Sequence, residues 1–435
     1  MSNFQTILIA IFLSFFVFAV LIFSGVIKMG RSPSNNSPQG KIVIWGIFPN
    51  SALAGVLESI NSNNDGLSSS YVKKDASTYQ QDLIEAFANG KAPDLFIITP
   101  DMLLNNDNFI YKIPYASYPQ KTFTDSFIEG AIIYLDGQNV LGFPIVVDPM
   151  VLYYNKDILT NEGIVYPPKS WDELFNLNPS LTKRDNSGKI FQSMIALGQY
   201  SNLNNAKDIL ATLLIQNNNN IIERESDSSY ISTLNNNPSK TSVSPIEAVL
   251  KFFVEFSNPS NTAYSWNRSL PNSLDMFTSG KLAFYLGRAS ELFNIQSINP
   301  NLSFDVTQIP QIKNSTNKRT YGEIYTVVVN KNSSNITSAF GVAGMLSQGE
   351  NAKNLSISLS LPPTSRALLA DKPVDNPYLF TFFDSALISR SWLDPDKGKS
   401  DLIFKDLVEN ILSNNLSVSE AIRKAQGQLE LLLKK

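Results

Sequence analysis

The sequence predicts an α/β protein built of two lobes. Between residues 41 and 99, buried-type strands alternate with amphipathic helices, an order that implies right-handed parallel crossovers. At 435 residues the chain exceeds one comfortable hydrophobic core, so two lobes are expected. Residues 140–157 form a run of β-branched and aromatic residues interrupted by prolines. This run predicts two strands joined by a stiff, extended crossing, which we interpret as a connection between the lobes.

The elements before this crossing alternate between two kinds. Runs of β-branched and aromatic residues predict buried strands, and apolar residues three and four positions apart predict helices. In such sheets ligands collect outside the carboxyl ends of the strands, here residues 45–48 and 99–102. The predicted order is strand 41–46, helix 51–62, strand 70–72, helix 79–88 and strand 92–99.

The chain after the crossing is mainly helical. Ser170 followed by Glu173 predicts a capping box at a helix start. The apolar run 321–330, marked by Gly322, predicts a second crossing strand, and residues 361–366 predict a turn that forms a third connection. The other predicted elements are a strand at 281–286 and helices at 155–159, 206–215, 242–256, 274–280, 336–347, 378–391, 402–413 and 418–433.

The first forty residues predict a membrane anchor and a tether. Residues 7–27 are an apolar run long enough to cross a bilayer as one helix. No small-residue cleavage site follows, so we expect an uncleaved single-pass anchor. Residues 28–40, rich in Ser, Asn and Pro, predict a flexible tether. Lys28 and Arg31 follow the span, and the positive-inside rule alone would place the globular part in the cytosol.

The composition excludes several kinds of chemistry. The chain contains neither cysteine nor histidine, which removes disulfides, a lipid-modified cysteine, thiolate nucleophiles, His-based triads and most zinc sites. The net charge of −3 and the lack of a basic stripe give no reason to expect a nucleic-acid partner. We therefore expect neither cofactor nor metal, and a function carried by carboxylates, amides, hydroxyls, aromatic rings and Lys/Arg.

Six short motifs follow one another along the chain. They are KIVIW (41–45), FANGKAPD (87–94), GFPIVVDPMVLYYNKD (142–157), PKSWDE (168–173), FTSGKLA (277–283) and LP with Arg366 (361–366). In this order they resemble the extracellular solute-binding proteins of ABC importers, family 1, the maltose-binding-protein-like group. The resemblance runs from Lys41 to the carboxyl terminus and implies a type II periplasmic-binding-protein fold, in which two interlaced lobes joined by hinge strands close over a solute.

The same resemblance implies lobe boundaries, a location and a partner. Lobe 1 would comprise about 41–145 and 325–361, and lobe 2 about 148–320 and 371–435. The family is displayed outside the cytoplasmic membrane, and we set this above the charge bias of Lys28 and Arg31. The predicted anchor then replaces the lipid tether that a cysteine-free chain cannot carry. The implied partners are the ABC permease subunits in the membrane, with the chain itself a monomer.

Ligand contacts are carried over by position. Asp148 stands where the sugar-binding members have a glutamate that contacts the ligand, with an Asp-Pro turn as the alternative interpretation. Arg288 lies in the loop where those members stack a tryptophan, which is missing here, and this weakens the case for a maltodextrin. Arg288 could instead bind a carboxylate or hydroxyls, with a surface salt bridge as the alternative. The further candidates are Asp101, which could instead be a helix cap; Tyr200, near a family aromatic contact, and Tyr325, just beyond the second crossing, both of which could instead be packing residues; and Trp45 and Trp392, which could stack on a ring or pack in the core.

The leading hypothesis is a binding protein that delivers a small organic solute, with a carbohydrate favoured over an amino-acid-like molecule. Aromatic rings, carboxylates and amides suit sugar hydroxyls. A second hypothesis is an anchored glycoside hydrolase, which would need two carboxylates roughly 5–9 Å apart. No close pair of carboxylates falls at the predicted strand ends, so the hydrolase is the lesser option. A third is a surface interaction module that has lost its ligand.

Overall fold

A computed structural model of the chain describes residues 38–225, 229–237 and 243–434, and the predicted anchor at 7–27 lies outside this part. Ten strands form one mixed sheet, and two short two-stranded sheets lie beside it. The strands are β1 (Gly40–Gly46), β2 (Leu67–Lys73), β3 (Leu95–Ile98), β4 (Ile113–Pro114), β5 (Asn139–Val140), β6 (Phe143–Asn155), β7 (Lys183–Arg184), β8 (Ile190–Ile195), β9 (Ile222–Arg224), β10 (Tyr230–Ser232), β11 (Leu282–Arg288), β12 (Phe304–Gln308), β13 (Thr320–Val329) and β14 (Ser389–Arg390).

Helices cover the sheet and connect its strands. They are α1 (Asn50–Ser62), α2 (Tyr79–Ala88), α3 (Pro100–Asn106), α4 (Gln120–Ser126), α5 (Lys156–Asn161), α6 (Glu173–Leu181), α7 (Ala206–Gln216), α8 (Pro245–Glu255), α9 (Ser273–Thr278), α10 (Leu292–Ile298), α11 (Ile336–Ser347), α12 (Gly349–Leu359), α13 (Arg366–Ala370), α14 (Pro377–Leu387), α15 (Lys397–Leu412) and α16 (Val418–Leu433). In the described residues, no helix has both the length and the apolar character needed to cross a membrane.

The predicted α/β start of the globular part is confirmed. Strands β1, β2 and β3 are parallel, and α1 and α2 make the two crossovers. α2 covers the predicted residues, with Leu83 and Ala86 on its buried face. Gly40, placed in the tether by the sequence, is instead the first residue of β1. The amide of Gln39 already donates a hydrogen bond to Ser338 Oγ at 2.9 Å.

The prediction of two strands around Asp148-Pro149 is wrong, because β6 is continuous through both prolines. On one side β6 contacts the segment around Pro362: the Val147 amide donates to the Pro362 carbonyl, so the backbone groups of the odd-numbered residues of β6 point toward this segment. Pro149 lies beyond the end of this segment and before the pairing of β6 with β11, which begins at Met150. A missing backbone amide therefore costs little at Pro149. Pro144 pairs with Thr326 of β13 next to a register shift, where Ile145 is the extra residue on β6.

Two long strands, β6 and β13, link the two halves of the sheet. The second half of β13 pairs with β3, and its middle pairs with the first half of β6. The second half of β6 pairs with β11 on one side and β12 on the other. The mixed α/β architecture is therefore two sheet halves joined by a central antiparallel pair.

Three local predictions need correction. The helix predicted to begin at Ser170 begins at Glu173, and Ser170 Oγ contacts the Glu173 carboxylate at 2.7 Å without capping the helix. The helix predicted over 378–391 ends at Leu387, because the chain then pairs with β13 as β14. Strands β8 and β12 were not predicted: β8 shows no clear alternation of apolar and polar residues, whereas in β12 the alternation from Phe304 to Thr307 was overlooked.

α7 is buried on all sides. Every residue of Ala206–Gln216 is buried, including Lys207 and Asp208 in its first turn. A helix enclosed on all sides must be almost entirely apolar, which fits the ILATLLI run. Two charged side chains are thus carried into the interior at the start of the helix, where each must find a partner.

Candidate functional site

Three charged side chains share one face of the sheet where β6, β11 and β13 meet. Asp148 lies opposite Glu323 across β6 and β13, and Arg288 lies opposite Met150 across β6 and β11. Directly opposite residues of paired strands project from the same face, and so do residues two apart on one strand. Asp148, Glu323 and Arg288 therefore converge, and we refer to Asp148, Asp208, Arg288, Glu323 and Lys397 as the hinge charge cluster.

Arg288 is the centre of this cluster. Its Nη1 donates to Glu323 Oε2 at 2.6 Å, while Nε and Nη2 both reach Asp208 Oδ2, at 2.8 and 2.7 Å. Its side chain is only 15 % exposed. One guanidinium thus joins the start of α7 to β13, and the planar fork of arginine suits two carboxylates at once.

The two opposing carboxylates, Glu323 and Asp148, have very different environments. Burial raises the pKa of Glu323, but the charges of Arg288 and Lys397 and the hydrogen bonds from Arg288 and Tyr325 overcome this and lower it to about 2. Lys397 Nζ lies 3.2 Å from Glu323 Oε1. Burial raises the pKa of Asp148 to about 6, because Arg288 and Ser290 only partly compensate. At neutral pH both are ionised, and Asp148 is the first to take up a proton.

Asp148 holds the turn that follows β11. Its Oδ1 accepts a hydrogen bond from the Ser290 amide at 2.9 Å, and its Oδ2 accepts one from Ser290 Oγ at 2.6 Å. Asp148 is 2 % exposed. It therefore fixes the turn directly beside Arg288, and the Asp-Pro turn considered from the sequence does not form, because Asp148 lies inside β6.

Aromatic side chains surround the carboxyl end of β1. The Tyr325 ring lies 4.8 Å from that of Phe48, and its hydroxyl donates to Glu323 Oε2 at 3.0 Å. Trp45 is half-buried, and Lys74 Nζ lies 3.6 Å from its ring centroid. The cation occupies one face of the indole, so only the other could stack on a ligand.

Asp101 faces the same cluster from the first turn of α3. Burial raises its pKa, the nearby charge of Glu323 raises it further, and Lys397 lowers it. Asp101, Asp148, Arg288 and Tyr325 are therefore brought together around Glu323. The sequence placed these four candidates separately, and β13 is the element that joins them.

A cavity of about 520 Å³ opens on this face and is called here the front cavity. Tyr200 lies in its wall and donates from its hydroxyl to Asp401 Oδ1 at 2.7 Å. The polar residues that line the front cavity are Tyr200, Ser201, Asn205, Lys207, Asp208, Arg288, Lys397, Asp401 and Lys405. A polar lining with both donors and acceptors can hydrogen-bond a solute that carries many hydroxyl groups.

A buried lysine fixes one wall of the front cavity. Lys207 Nζ donates to Asp394 Oδ2 at 2.7 Å, to the Lys397 carbonyl at 2.9 Å and to Ser400 Oγ at 2.9 Å. These bonds tie the start of α7 to the start of α15. Lys397 is thereby held where its ammonium reaches Glu323.

Trp392 is separated from the other candidates. It is 3 % exposed, and its ring packs edge-on against Phe404 with centroids 6.1 Å apart. It lies in the wall of a second cavity, of about 410 Å³, together with Gly130, Ile133 and Arg390. This second cavity is called here the back cavity.

Sequence reasoning missed Glu323, Lys397, Asp208 and Lys207. A usable signal exists for three of them, because each is a charged residue inside an otherwise apolar run: Glu323 in β13, and Lys207 and Asp208 in α7. Such a residue must be paired when the run is buried. Lys397 has no comparable signal, since it starts a helix among other polar residues.

The profile of the bacterial extracellular solute-binding proteins matches residues 56–381 of this chain. The chain belongs to this family. A solute-binding protein holds and releases its ligand, so membership favours binding over the hydrolase considered from the sequence. The match also confirms the family that the six motifs predicted.

The individual relatives match this chain either over a short stretch or at low sequence identity. A protein of Brucella abortus named as a binding protein is 30 % identical to this chain over an aligned stretch that covers 27 % of this chain and 29 % of the Brucella protein. The chain therefore aligns with less than a third of that relative. The galactooligosaccharide-binding protein of Bacillus subtilis is 21 % identical over 80 % of this chain and 78 % of its own.

Solved structures show the same fold. A cyclo/maltodextrin-binding protein complexed with maltotetraose superposes with a TM-score of 0.72 at 17 % identity, covering 91 % of this chain and 97 % of the other. The cyclic α-maltosyl-1,6-maltose binding protein of Arthrobacter globiformis has the same TM-score at 16 % identity, with 91 % and 99 % coverage. The solute-binding protein thus has the two-lobe fold of maltose-binding proteins.

Proposed function

We propose that this protein captures a carbohydrate between its two lobes and delivers it to the permease subunits of an ABC importer. The observation that carries the proposal is the polar front cavity beside the hinge strands in a member of the solute-binding family. Relatives named for galactooligosaccharides and maltodextrins support a sugar over an amino-acid-like solute.

The proposed site combines two groups of residues. On the side of α7, Tyr200 and Arg288 line the front cavity; on the other side, Trp45, Asp101 and Tyr325 surround the carboxyl end of β1. Asp148 is proposed to act by holding the turn at Ser290, because both of its oxygens already accept hydrogen bonds there. Trp392 has less support as a ligand contact, since it packs against Phe404 in the wall of the other cavity.

We further propose that the two lobes are divided as the sequence suggested, with about 41–145 and 325–361 in one and about 148–320 and 371–435 in the other. Pairing of β13 and β6 with both halves of the sheet supports a hinge there. A solute then favours the closed form only by its higher affinity for that form. Small-angle scattering should show a smaller radius of gyration with saturating solute.

The solute class is tested by thermal unfolding of the full-length protein in mild detergent against a library of oligosaccharides, amino acids and peptides. A ligand at about 100 times its dissociation constant should raise the free energy of unfolding by about 2.7 kcal/mol. We expect an oligosaccharide to do so and labelled glycans to remain uncleaved. A response to amino acids alone, or to nothing, would contradict carbohydrate capture.

Two aspartates on α15 provide a matched pair for this test. Asp401 lines the front cavity and accepts the Tyr200 hydroxyl, while Asp406 is exposed on the same helix. Asp401→Asn should weaken binding of the oligosaccharide by about tenfold, because the front cavity loses the charge-assisted hydrogen bonds that only the Asp401 carboxylate can accept. Asp406→Asn should leave the dissociation constant unchanged.

Residues 7–27 are proposed to anchor the chain with its globular part outside the cell. Because the chain has no cysteine, one can be introduced at the exposed Thr316 and probed with a membrane-impermeant maleimide. Thr316→Cys should be labelled on intact cells. Labelling only after lysis would place the globular part in the cytosol, as Lys28 and Arg31 alone would predict.

A further inference from the structure

The back cavity lies on the opposite face of the hinge strands from the front cavity. Glu323 and Tyr325 project toward the hinge charge cluster, so Ile324 between them projects the other way. A Cβ built on Gly130 would come 3.2 Å from Ile324 Cδ1, and Gly130 lines the back cavity. The central strand pair therefore separates two cavities, of which the proposed solute site uses the front one.

Three arginines line the back cavity and are held mainly by neutral oxygens. Arg319 Nη1 donates to Asn218 Oδ1 at 2.9 Å and to the Ile215 carbonyl at 3.3 Å, and Arg224 Nη1 donates to the Leu135 carbonyl at 3.1 Å. Among the residues that the structure describes, Arg390 is the one of the three that pairs with a carboxylate, that of Glu129. Within residues 38–225, 229–237 and 243–434, Arg319 forms no ion pair.

Positive charge is in excess at this cavity. The other carboxylate in its wall, Glu223, accepts a hydrogen bond from Asn220 at 2.7 Å. Burial lowers the pKa of Arg390, Glu129 raises it, and the neighbouring guanidinium of Arg319 lowers it again. The Nε atoms of Arg224 and Arg319 are buried without a hydrogen-bond partner in the described part of the chain. Partly buried guanidinium groups without a carboxylate are costly unless an anion compensates them.

We propose that the back cavity binds a small oxyanion, such as a phosphate, sulfate or carboxylate group, through Arg224, Arg319 and Arg390. A guanidinium presents planar paired donors that match the oxygens of these groups. The volume of about 410 Å³ accommodates an anion of this size together with water. The site is independent of the solute site, since its walls share no residue with those of the front cavity.

Isothermal titration of the full-length protein with sodium phosphate, in chloride buffer of matched ionic strength, tests this site. Malonate replaces phosphate in a parallel titration to represent a carboxylate source. We expect saturable binding of one phosphate or malonate per chain. Arg319→Gln should weaken that binding by about tenfold or more, because a charge-assisted contact is removed.

Arg268→Gln is the matched control, since Arg268 is exposed and does not line this cavity. It should bind the anion as the unmodified protein does. Arg224→Gln serves as a second variant if Arg319→Gln fails to fold, which its unfolding midpoint in chloride reveals. Heats that do not saturate for either anion, or unchanged binding in the folded arginine variants of the cavity, would overturn the proposal.

Discussion

Asp148 and Glu323 lie directly opposite each other on adjacent antiparallel strands, yet their pKa values are shifted in opposite directions. Like charges placed opposite each other across a strand pair destabilise a sheet. Here Arg288 and Lys397 both contact Glu323, whereas Asp148 accepts hydrogen bonds from Ser290 and is stabilised by the charge of Arg288. The pair is tolerated because Arg288 offsets both carboxylates while each has a further partner of its own, and its two members should respond oppositely to pH.

Asp148→Asn should stabilise the protein relative to the unmodified chain as pH rises. The pKa of Asp148 is about 6 in the folded state against 3.8 ordinarily, so the native state binds the proton more tightly. Ionisation between these values therefore lowers the free energy of unfolding, by about 3 kcal/mol at most. Urea unfolding at pH 4.5 and 7.5 measures the change. The same substitution at the exposed Asp65 is the control, and a pH-dependent difference no larger for Asp148→Asn than for Asp65→Asn would contradict the prediction.

Glu323→Gln should destabilise the protein by about 3–5 kcal/mol at pH 7, because a buried guanidinium and an ammonium lose a shared partner. The pKa of Glu323 is lowered from 4.5 to about 2, so its contribution is present above pH 4.5 and is lost as pH falls toward 2. The difference between variant and unmodified protein should therefore shrink in acid.

Denaturant unfolding from pH 7 to pH 3 measures this difference. Glu247→Gln is the control, since Glu247 pairs with Lys251 one helical turn away and the lysine is 53 % exposed. Such surface pairs contribute less than about 1 kcal/mol. A loss no larger in Glu323→Gln than in the control would mean that Arg288 is held adequately by Asp208 alone.

Much of the fold could be predicted from local patterns. Helix α2 was predicted over its actual residues because its apolar face and the stop at Asn89-Gly90 agree. β6 was predicted as two strands because a proline pattern cannot reveal which neighbours a strand has. Whether Pro149 interrupts the strand depends on where Pro362 and β11 lie, and these long-range positions are not encoded in the local sequence.

The candidate site was less accessible from the sequence. Family position brought out Asp148, Arg288 and Tyr325, but it gave no reason to select Glu323, the residue that they surround. The partners of Glu323 come from β11 and α15, 35 and 74 positions away in the chain. The register of β6, β11 and β13 brings Arg288 to Glu323, and the packing of α15 against α7 through Lys207 brings Lys397; both depend on long-range contacts rather than on local sequence.

Gly142→Ala should destabilise the chain by about 1–3 kcal/mol, because the entry to β6 has no room for a side chain. A Cβ there would lie 2.7 Å from both Thr326 Cγ2 and Val328 Cγ1 and 2.8 Å from the Val327 carbonyl oxygen. Gly55→Ala is the control: it is exposed within α1 with nothing within 4 Å of a Cβ, and should stabilise by about 0.5–1 kcal/mol. Thermal unfolding measures both, and equal midpoints would contradict close packing of β6 against β13.

Tyr200→Phe and Trp392→Phe should distinguish the two cavities as the solute site. Tyr200 presents its hydroxyl in the front cavity, where it is bonded to Asp401, and Trp392 lines the back cavity. For an oligosaccharide found by thermal unfolding, Tyr200→Phe should raise the dissociation constant by about 2–10-fold, the effect of one hydrogen bond. Trp392→Phe should leave it unchanged, because the ring packs on Phe404 in the wall of the back cavity and phenylalanine keeps an aromatic ring near Lys207 Nζ, which lies 5.9 Å from the Trp392 ring centroid. Calorimetric titration of both variants measures these dissociation constants. A higher dissociation constant for Trp392→Phe and an unchanged one for Tyr200→Phe would instead place the solute in the back cavity, with Trp392 as a stacking residue.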